Sequence, residues 1–158
     1  MRMRSEYGVA ADWPMDYAAL EPFFLEVERL TGIAGPAEKT VHPRSAPFPL
    51  PAHPLSYTTQ KIAAGCQKLG HSFVANARAA LSEPYDDRPA CNYCGQCTRG
   101  CPRTDKGSVD VTFIPKAEAT GNCAIRTEST VQRVLLGKDD RVTGVEYIDK
   151  SGARHKAE

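Results

Sequence analysis

The stretch Thr130-Val131-Gln132-Arg133-Val134-Leu135-Leu136-Gly137-Lys138-Asp139-Asp140-Arg141-Val142-Thr143-Gly144-Val145-Glu146-Tyr147-Ile148-Asp149 decides the fold class. Two runs rich in β-branched residues flank the polar turn Gly137-Lys138-Asp139-Asp140, the pattern of an antiparallel hairpin. Residues 124–127 and 130–136 read together as one strand or a bent pair. Lys150-Ser151-Gly152 is a second turn, into a third strand that begins at Ala153 and is cut by the chain end. The expectation is an antiparallel meander over the last third of the chain.

Outward from the meander the pattern becomes helical. Residues 108–120, with Val109, Val111, Phe113, Ile114 and Ala117, predict a helix that Pro115 interrupts. Residues 58–69 predict another, capped by Thr58 or Thr59 and stopped by Gly70, with Ile62, Cys66 and Leu69 on one face. Residues 71–81 begin strand-like at Ser72-Phe73-Val74 and end Ala-rich, and 83–90 form a polar turn. Near the start, Asp16 caps a helix whose apolar residues Leu20, Phe23, Phe24, Val27 and Leu30 share a face. Glu21, Glu26 and Glu28 take the wet side, Pro22 belongs near the helix start, and Gly32 and Gly35 stop it. Between the first two helices, residues 36–54 hold six of the twelve prolines, too many for a helix or a central strand. We read them as an extended loop held against something by Val41, Phe48 and Leu50.

At 158 residues the chain is short enough for one domain. Its 20 basic and 19 acidic residues leave a net charge of +1, which gives no electrostatic footprint for nucleic acid. No apolar run approaches the roughly 20 residues of a membrane span, and the first seven residues lack the apolar segment of a secretory signal. Localisation stays open between cytoplasm and periplasm.

Six cysteines is a high count, and four of them fall within the run Cys91-Asn92-Tyr93-Cys94-Gly95-Gln96-Cys97-Thr98-Arg99-Gly100-Cys101-Pro102. This C-x2-C-x2-C-x3-C-P spacing is that of bacterial iron–sulfur ligation. Two-residue gaps turn successive thiolates toward one centre, and Gly95 and Gly100 permit the backbone angles this needs. Cys91, Cys94, Cys97 and Cys101 are therefore candidate ligands. In the ferredoxin arrangement the fourth Cys of such a run serves a second cluster. A single cluster here needs Cys66, Cys123, Cys101 in altered geometry, or three ligands only. Structural zinc, a disulfide-pinned loop and packed reduced thiols stay open beside it. Cys66, on a helical face, reads as a small core residue.

Two stretches together resemble the glucose-methanol-choline (GMC) oxidoreductases, FAD-dependent enzymes, in the bacterial branch of alcohol, sorbose and gluconate dehydrogenases. The first is Asp12-Trp13-Pro14-Met15-Asp16-Tyr17 through Leu20-Glu21-Pro22-Phe23-Phe24 and Glu28. The second runs from Cys91 to Gly107, then through Thr112-Phe113-Ile114-Pro115-Lys116-Ala117, Arg126-Thr127, Val131, Arg133-Val134 and Val142-Thr143-Gly144-Val145-Glu146-Tyr147. The resemblance implies an α/β fold (α+β for the fragment). It would be part of an FAD/NAD(P)-binding Rossmann-like domain with an antiparallel meander, joined by helical and loop segments from the substrate-domain side. It divides the chain into a helix and Pro-rich linker at 1–56, a helix with the cysteine loop and following helix at 57–123, and a truncated meander at 124–158.

The resemblance further implies an oxidoreductase acting on the CH–OH group of an alcohol, polyol or sugar, with hydride transfer to FAD. A cluster in the cysteine loop would pass electrons to a cytochrome or quinone. Val131 is the position implied to meet the adenine through backbone groups; its alternative reading is a strand core residue. Two family features are missing from the sequence. No two glycines stand at i and i+2, so the pyrophosphate turn is absent. His42, His53, His71 and His155 do not match the catalytic His motif and read as surface or loop residues. The expectation is an internal piece of a longer flavoenzyme or a degenerate gene fragment, inactive in isolation. The competing readings are a small iron–sulfur electron-transfer protein and a zinc-stabilised binding module.

Overall fold

A computed structural model describes residues 1–37 and 43–158. Val41 and His42 therefore lie outside the described residues. The chain divides into two compact units, Met1–Lys116 and Ala117–Glu158, and each mixes regular elements with loops in its own way.

The first unit opens with a short helix, α1 (Met3–Tyr7), in a segment where the sequence suggested no element. Asp12 organises it. Its carboxylate accepts from the Arg4 and Ser5 backbone N–H groups at 2.9 and 3.1 Å and from the Ser5 hydroxyl. These bonds favour the charged form and hold the Asp12 pKa below its ordinary value.

Helix α2 (Tyr17–Thr31) begins at Asp16, whose carboxylate accepts from Ala19 N at 2.9 Å, and stops at Gly32 in the left-handed region (φ 74°). Pro22 lies in the second turn, deeper than expected, and removes one intrahelical donor there. The burial pattern of α2 corrects the sequence reading. Leu20 and Leu30 are half-buried, but Phe23, Phe24 and Val27 are exposed. Of the acidic residues, Glu28 forms a two-pronged ion pair with Arg44 (2.8 and 2.5 Å), and Glu21 accepts from Ser45 N at 2.6 Å. The polar stripe of α2, not its apolar face, anchors the Pro-rich segment. The hydrogen bonds to Glu28, helped by its negative charge, hold the Arg44 pKa above its usual value against the opposing effect of partial burial. Arg44 stacks 3.6 Å above the Phe48 ring.

Beyond α2, the two-residue strands β1 (Ala34–Gly35) and β2 (Leu50–Pro51) pair in parallel. Ala34, Leu50 and Leu81, with Tyr85 packed against them, form the small core of this unit. Phe48 closes over Gly35, where a side chain would collide with its ring. Helix α3 (Tyr57–Lys68) is capped by Ser56, whose hydroxyl accepts from Thr59 N at 3.2 Å; the cap is not Thr58 or Thr59. Ile62 and Leu69 are exposed and Cys66 is half-buried, so the predicted apolar face covers no core.

Residues 71–81 form no strand. They contribute isolated bridges, Arg78 to Ala34 and Ala80 to Lys106. Tyr85 and Arg88 bracket a two-residue turn at Asp86-Asp87, both with positive φ, as the polar composition of 83–90 led us to expect. The helix predicted over 108–120 is split into a single 3-10 turn, Val109–Val111, and α4 (Phe113–Ala119). Pro115 falls in the first turn of α4, where its missing N–H costs nothing.

The second unit is the meander. Strands β3 (Thr130–Leu136), β4 (Val142–Ile148) and β5 (Arg154–Ala157) are antiparallel neighbours in that order. Residues 124–127 are not a strand. Gly137 N donates to Arg141 O at 2.8 Å to close the first turn. Asp149 closes the second, accepting from Ser151 N, Ser151 Oγ, Ala153 N and His155 Nε2. Tyr147 is buried, with the His155 ring stacked 5.2 Å away. Gly144 is required where β4 passes β5, because a Cβ would run into Ala157 O.

Candidate functional site

The cysteine loop is built on a short backbone strap, residues 79–81. Leu81 O accepts from Cys91 N at 2.8 Å and Leu81 N donates to Asp105 O at 3.0 Å, while Ala79 O accepts from Gly107 N at 2.8 Å. Both ends of the loop are therefore pinned to the same three residues, next to the fully buried Leu81 side chain. Gly107 allows this approach, since a Cβ there would lie 2.9 Å from Thr31 O at the end of α2.

Inside the loop, Gly95 and Gly100 adopt left-handed angles (φ 72° and 95°), and so does Tyr93 (φ 58°). Cys91, Cys94, Cys97 and Cys101 all line one cavity of about 150 Å³, together with Arg78 and Asp105. All six cysteines of the chain are free thiols. Cys66 sits on α3 and does not line this cavity, and Cys123 belongs to the other unit.

The four thiols are not equivalent. Cys94 and Cys97 are exposed, while Cys91 and Cys101 are half-buried. Cys101 Sγ donates to Asp105 Oδ1 at 3.0 Å, and Asp105 is only 2% exposed. Burial pushes the Cys91 thiol pKa up, and the hydrogen bond from Tyr93 N, at 3.4 Å from Sγ, partly opposes that. Lys106 Nζ donates to Cys97 O at 2.8 Å and ties the middle of the loop to its base. Among the described residues no three His, Cys, Asp or Glu side chains are set to hold a single metal ion. What the four cysteines share is a small cavity lined by soft sulfur donors.

Three participants escaped the sequence reading. Asp105 becomes a partner of Cys101 only because the loop base buries it. Arg78 reaches the cavity wall from the irregular segment before the strap. His53 is a loop residue, as expected, but both its ring nitrogens are engaged, with Tyr93 Oη at 3.0 Å and Ala80 O at 2.9 Å. An aromatic inside a cysteine run, with a distant His, was the available signal; their pairing is non-local.

Val131 lies on β3, which among the described residues pairs on one side only, with β4. It faces Tyr147 in the register, and the pairing shifts between Val131 and Arg133. Its side chain is 56% exposed, so it is not a core residue of this unit. An edge strand keeps a row of backbone donors and acceptors outside the ladder.

Residues 3–158 match the family described as GMC oxidoreductase. The chain is 30% identical over 158 residues to the fructose dehydrogenase large subunit of Gluconobacter japonicus, covering 98% of this chain and 29% of that protein. It is 32% identical over 162 residues to the gluconate 2-dehydrogenase flavoprotein of Pantoea cypripedii, covering 89% of this chain and 26% of the relative. Similarity to the 2-methyl-1,2-propanediol dehydrogenase of Mycolicibacterium austroafricanum is 28% over 159 residues, covering 98% and 28%. The chain thus spans between a quarter and a third of the length of these curated relatives. With a match that runs through both units, the chain belongs to the GMC oxidoreductase family.

Proposed function

We propose that the chain is a segment of an FAD-dependent dehydrogenase that oxidises the CH–OH group of an alcohol, polyol or sugar. The observation that carries this is the family match over residues 3–158, together with relatives that are sugar, sugar-acid and diol dehydrogenases. In this reading the meander belongs to a Rossmann-like FAD domain, and the helical and loop segments of 1–56 and 57–123 come from the substrate-domain side. FAD, when bound, supplies the hydride acceptor. The chain's own part is to offer the backbone of β3 at Val131 to the adenine. The proton acceptor for the substrate hydroxyl is assigned to no histidine of this chain.

The cysteine loop is, on this reading, the seat of an iron–sulfur cluster held by residues among Cys91, Cys94, Cys97 and Cys101. Its support is the spacing and the common cavity. A cluster supplies one-electron steps toward a cytochrome or quinone acceptor.

The test uses the full-length protein, purified anaerobically. Stoichiometric flavin and dye reduction with a polyol, sugar or sugar-acid panel are expected; absence of flavin overturns the flavoenzyme reading. Iron matched by acid-labile sulfide, with visible absorption bleached by dithionite, is expected of the loop. Zinc without colour, or four free thiols and no metal, overturns the cluster. The 158-residue chain alone is expected to retain no flavin through gel filtration.

A further inference from the structure

We propose that His53 and Tyr93 form a latch that holds the Cys91–Cys94 turn in its left-handed form and so keeps a backbone N–H on the Cys91 sulfur. Tyr93 has φ 58°, a region that bulky residues avoid. It is also 59% exposed, so packing does not hold it there. What holds it is its hydroxyl, 3.0 Å from His53 Nδ1, and an edge-on ring contact with 5.5 Å between centroids.

The polarity of the latch follows from its far end. His53 Nε2 lies 2.9 Å from Ala80 O, and a carbonyl only accepts, so Nε2 carries the proton. In the neutral imidazole Nδ1 is then the acceptor, and the Tyr93 hydroxyl donates to it. Ala80 is the middle of the strap whose neighbours pin both ends of the loop. The latch thus joins the loop's first turn to the same three residues that fix its base. With Tyr93 held left-handed, its N–H meets Cys91 Sγ at 3.4 Å. If Tyr93 relaxes to an extended conformation, that donor leaves the sulfur.

A hydrogen bond to a ligand sulfur stabilises the reduced, more negative form of an iron–sulfur group and raises its potential. This consequence rests on the reading of the loop as a cluster site; the latch itself does not.

The test compares full-length wild type with Tyr93→Phe, His53→Ala and His53→Gln. Tyr93→Phe keeps the ring and removes only the hydroxyl. The glutamine amide presents an acceptor oxygen and a donor nitrogen in place of the two ring nitrogens. Hydrogen exchange at the residue 93 amide is expected to speed up by about tenfold in Tyr93→Phe and His53→Ala, as for loss of one hydrogen bond, and to stay near wild type in His53→Gln. The potential of the loop's centre, followed by redox titration, is expected to fall in the first two variants and hold in the third. Unchanged exchange in Tyr93→Phe overturns the latch. Faster exchange with an unchanged potential overturns the tuning of the sulfur. Faster exchange in a protein with no redox centre to titrate leaves the latch standing and overturns the cluster reading instead.

Discussion

Leu81 does two jobs with one residue. Its side chain is fully buried against Ala34 and Leu50, and its backbone N–H and C=O hold Asp105 and Cys91. Leu81→Ala is therefore expected to cost about 3 kcal/mol, as for other buried leucines, and to loosen the cysteine loop as well. Thermal melting reads the first effect in the full-length protein, and hydrogen exchange at the Cys91 amide reads the second. Gly32 faces the same side chain. Its φ of 74° and a hypothetical Cβ 2.5 Å from Leu81 Cδ2 predict a loss of about 1–3 kcal/mol for Gly32→Ala, measured the same way. Residues of this kind divide by range. Asp16 as a cap, Gly32 as a stop and the cysteine spacing are written in neighbouring letters, and all were legible. Asp105 and His53 take their roles from residues brought near by the fold, and no local pattern marks them.

At the scale of elements, α2 and the meander were read correctly in place and imperfectly in use. Periodicity located α2, but its buried side follows the Glu28–Arg44 pair and the Glu21 contact to Ser45 rather than the phenylalanines. Asp16→Ala is expected to lose about 1 kcal/mol of stability with α2 still formed, checked by denaturant titration followed by circular dichroism. The strand-like 71–81 segment failed because pairing, not composition, makes a strand, and its partners are single residues. The hairpin turns were legible because their chemistry is local. Asp149 shows how local: hydrogen bonds from Ser151, then His155, hold its pKa well below the carboxylate range. Since the folded value is depressed, its contribution to the turn is present above the unfolded pKa of about 4 and is lost as pH falls through the folded value. An NMR titration is expected to find the Asp149 carboxyl still ionised at pH 3, and shifted upward in His155→Ala. A midpoint near 4 in the wild type refutes the arrangement.

The molecule as a whole buries little. Its buried apolar residues, among those described, are Ala34, Leu50, Leu81 and Tyr147, while Phe23, Phe24 and Val27 of α2 and Val131, Val134, Leu136 and Val142 of the meander stand exposed. Well-covered chains of this length bury far more of their surface. Produced alone, the chain is expected to melt broadly and to bind a hydrophobic dye at room temperature; a sharp, reversible two-state transition refutes this. Exposed faces of this extent are in keeping with a chain a quarter to a third the length of its relatives. The strap at 79–81 has a different consequence. Because it grips residue 91 on one side and 105–107 on the other, the entropic penalty of closing the loop is met at its neck, whatever lies between. The span between, 92–104, can therefore gain or lose residues away from Tyr93, Cys97 and Cys101 at little further entropic cost, because the ends that must meet are already held.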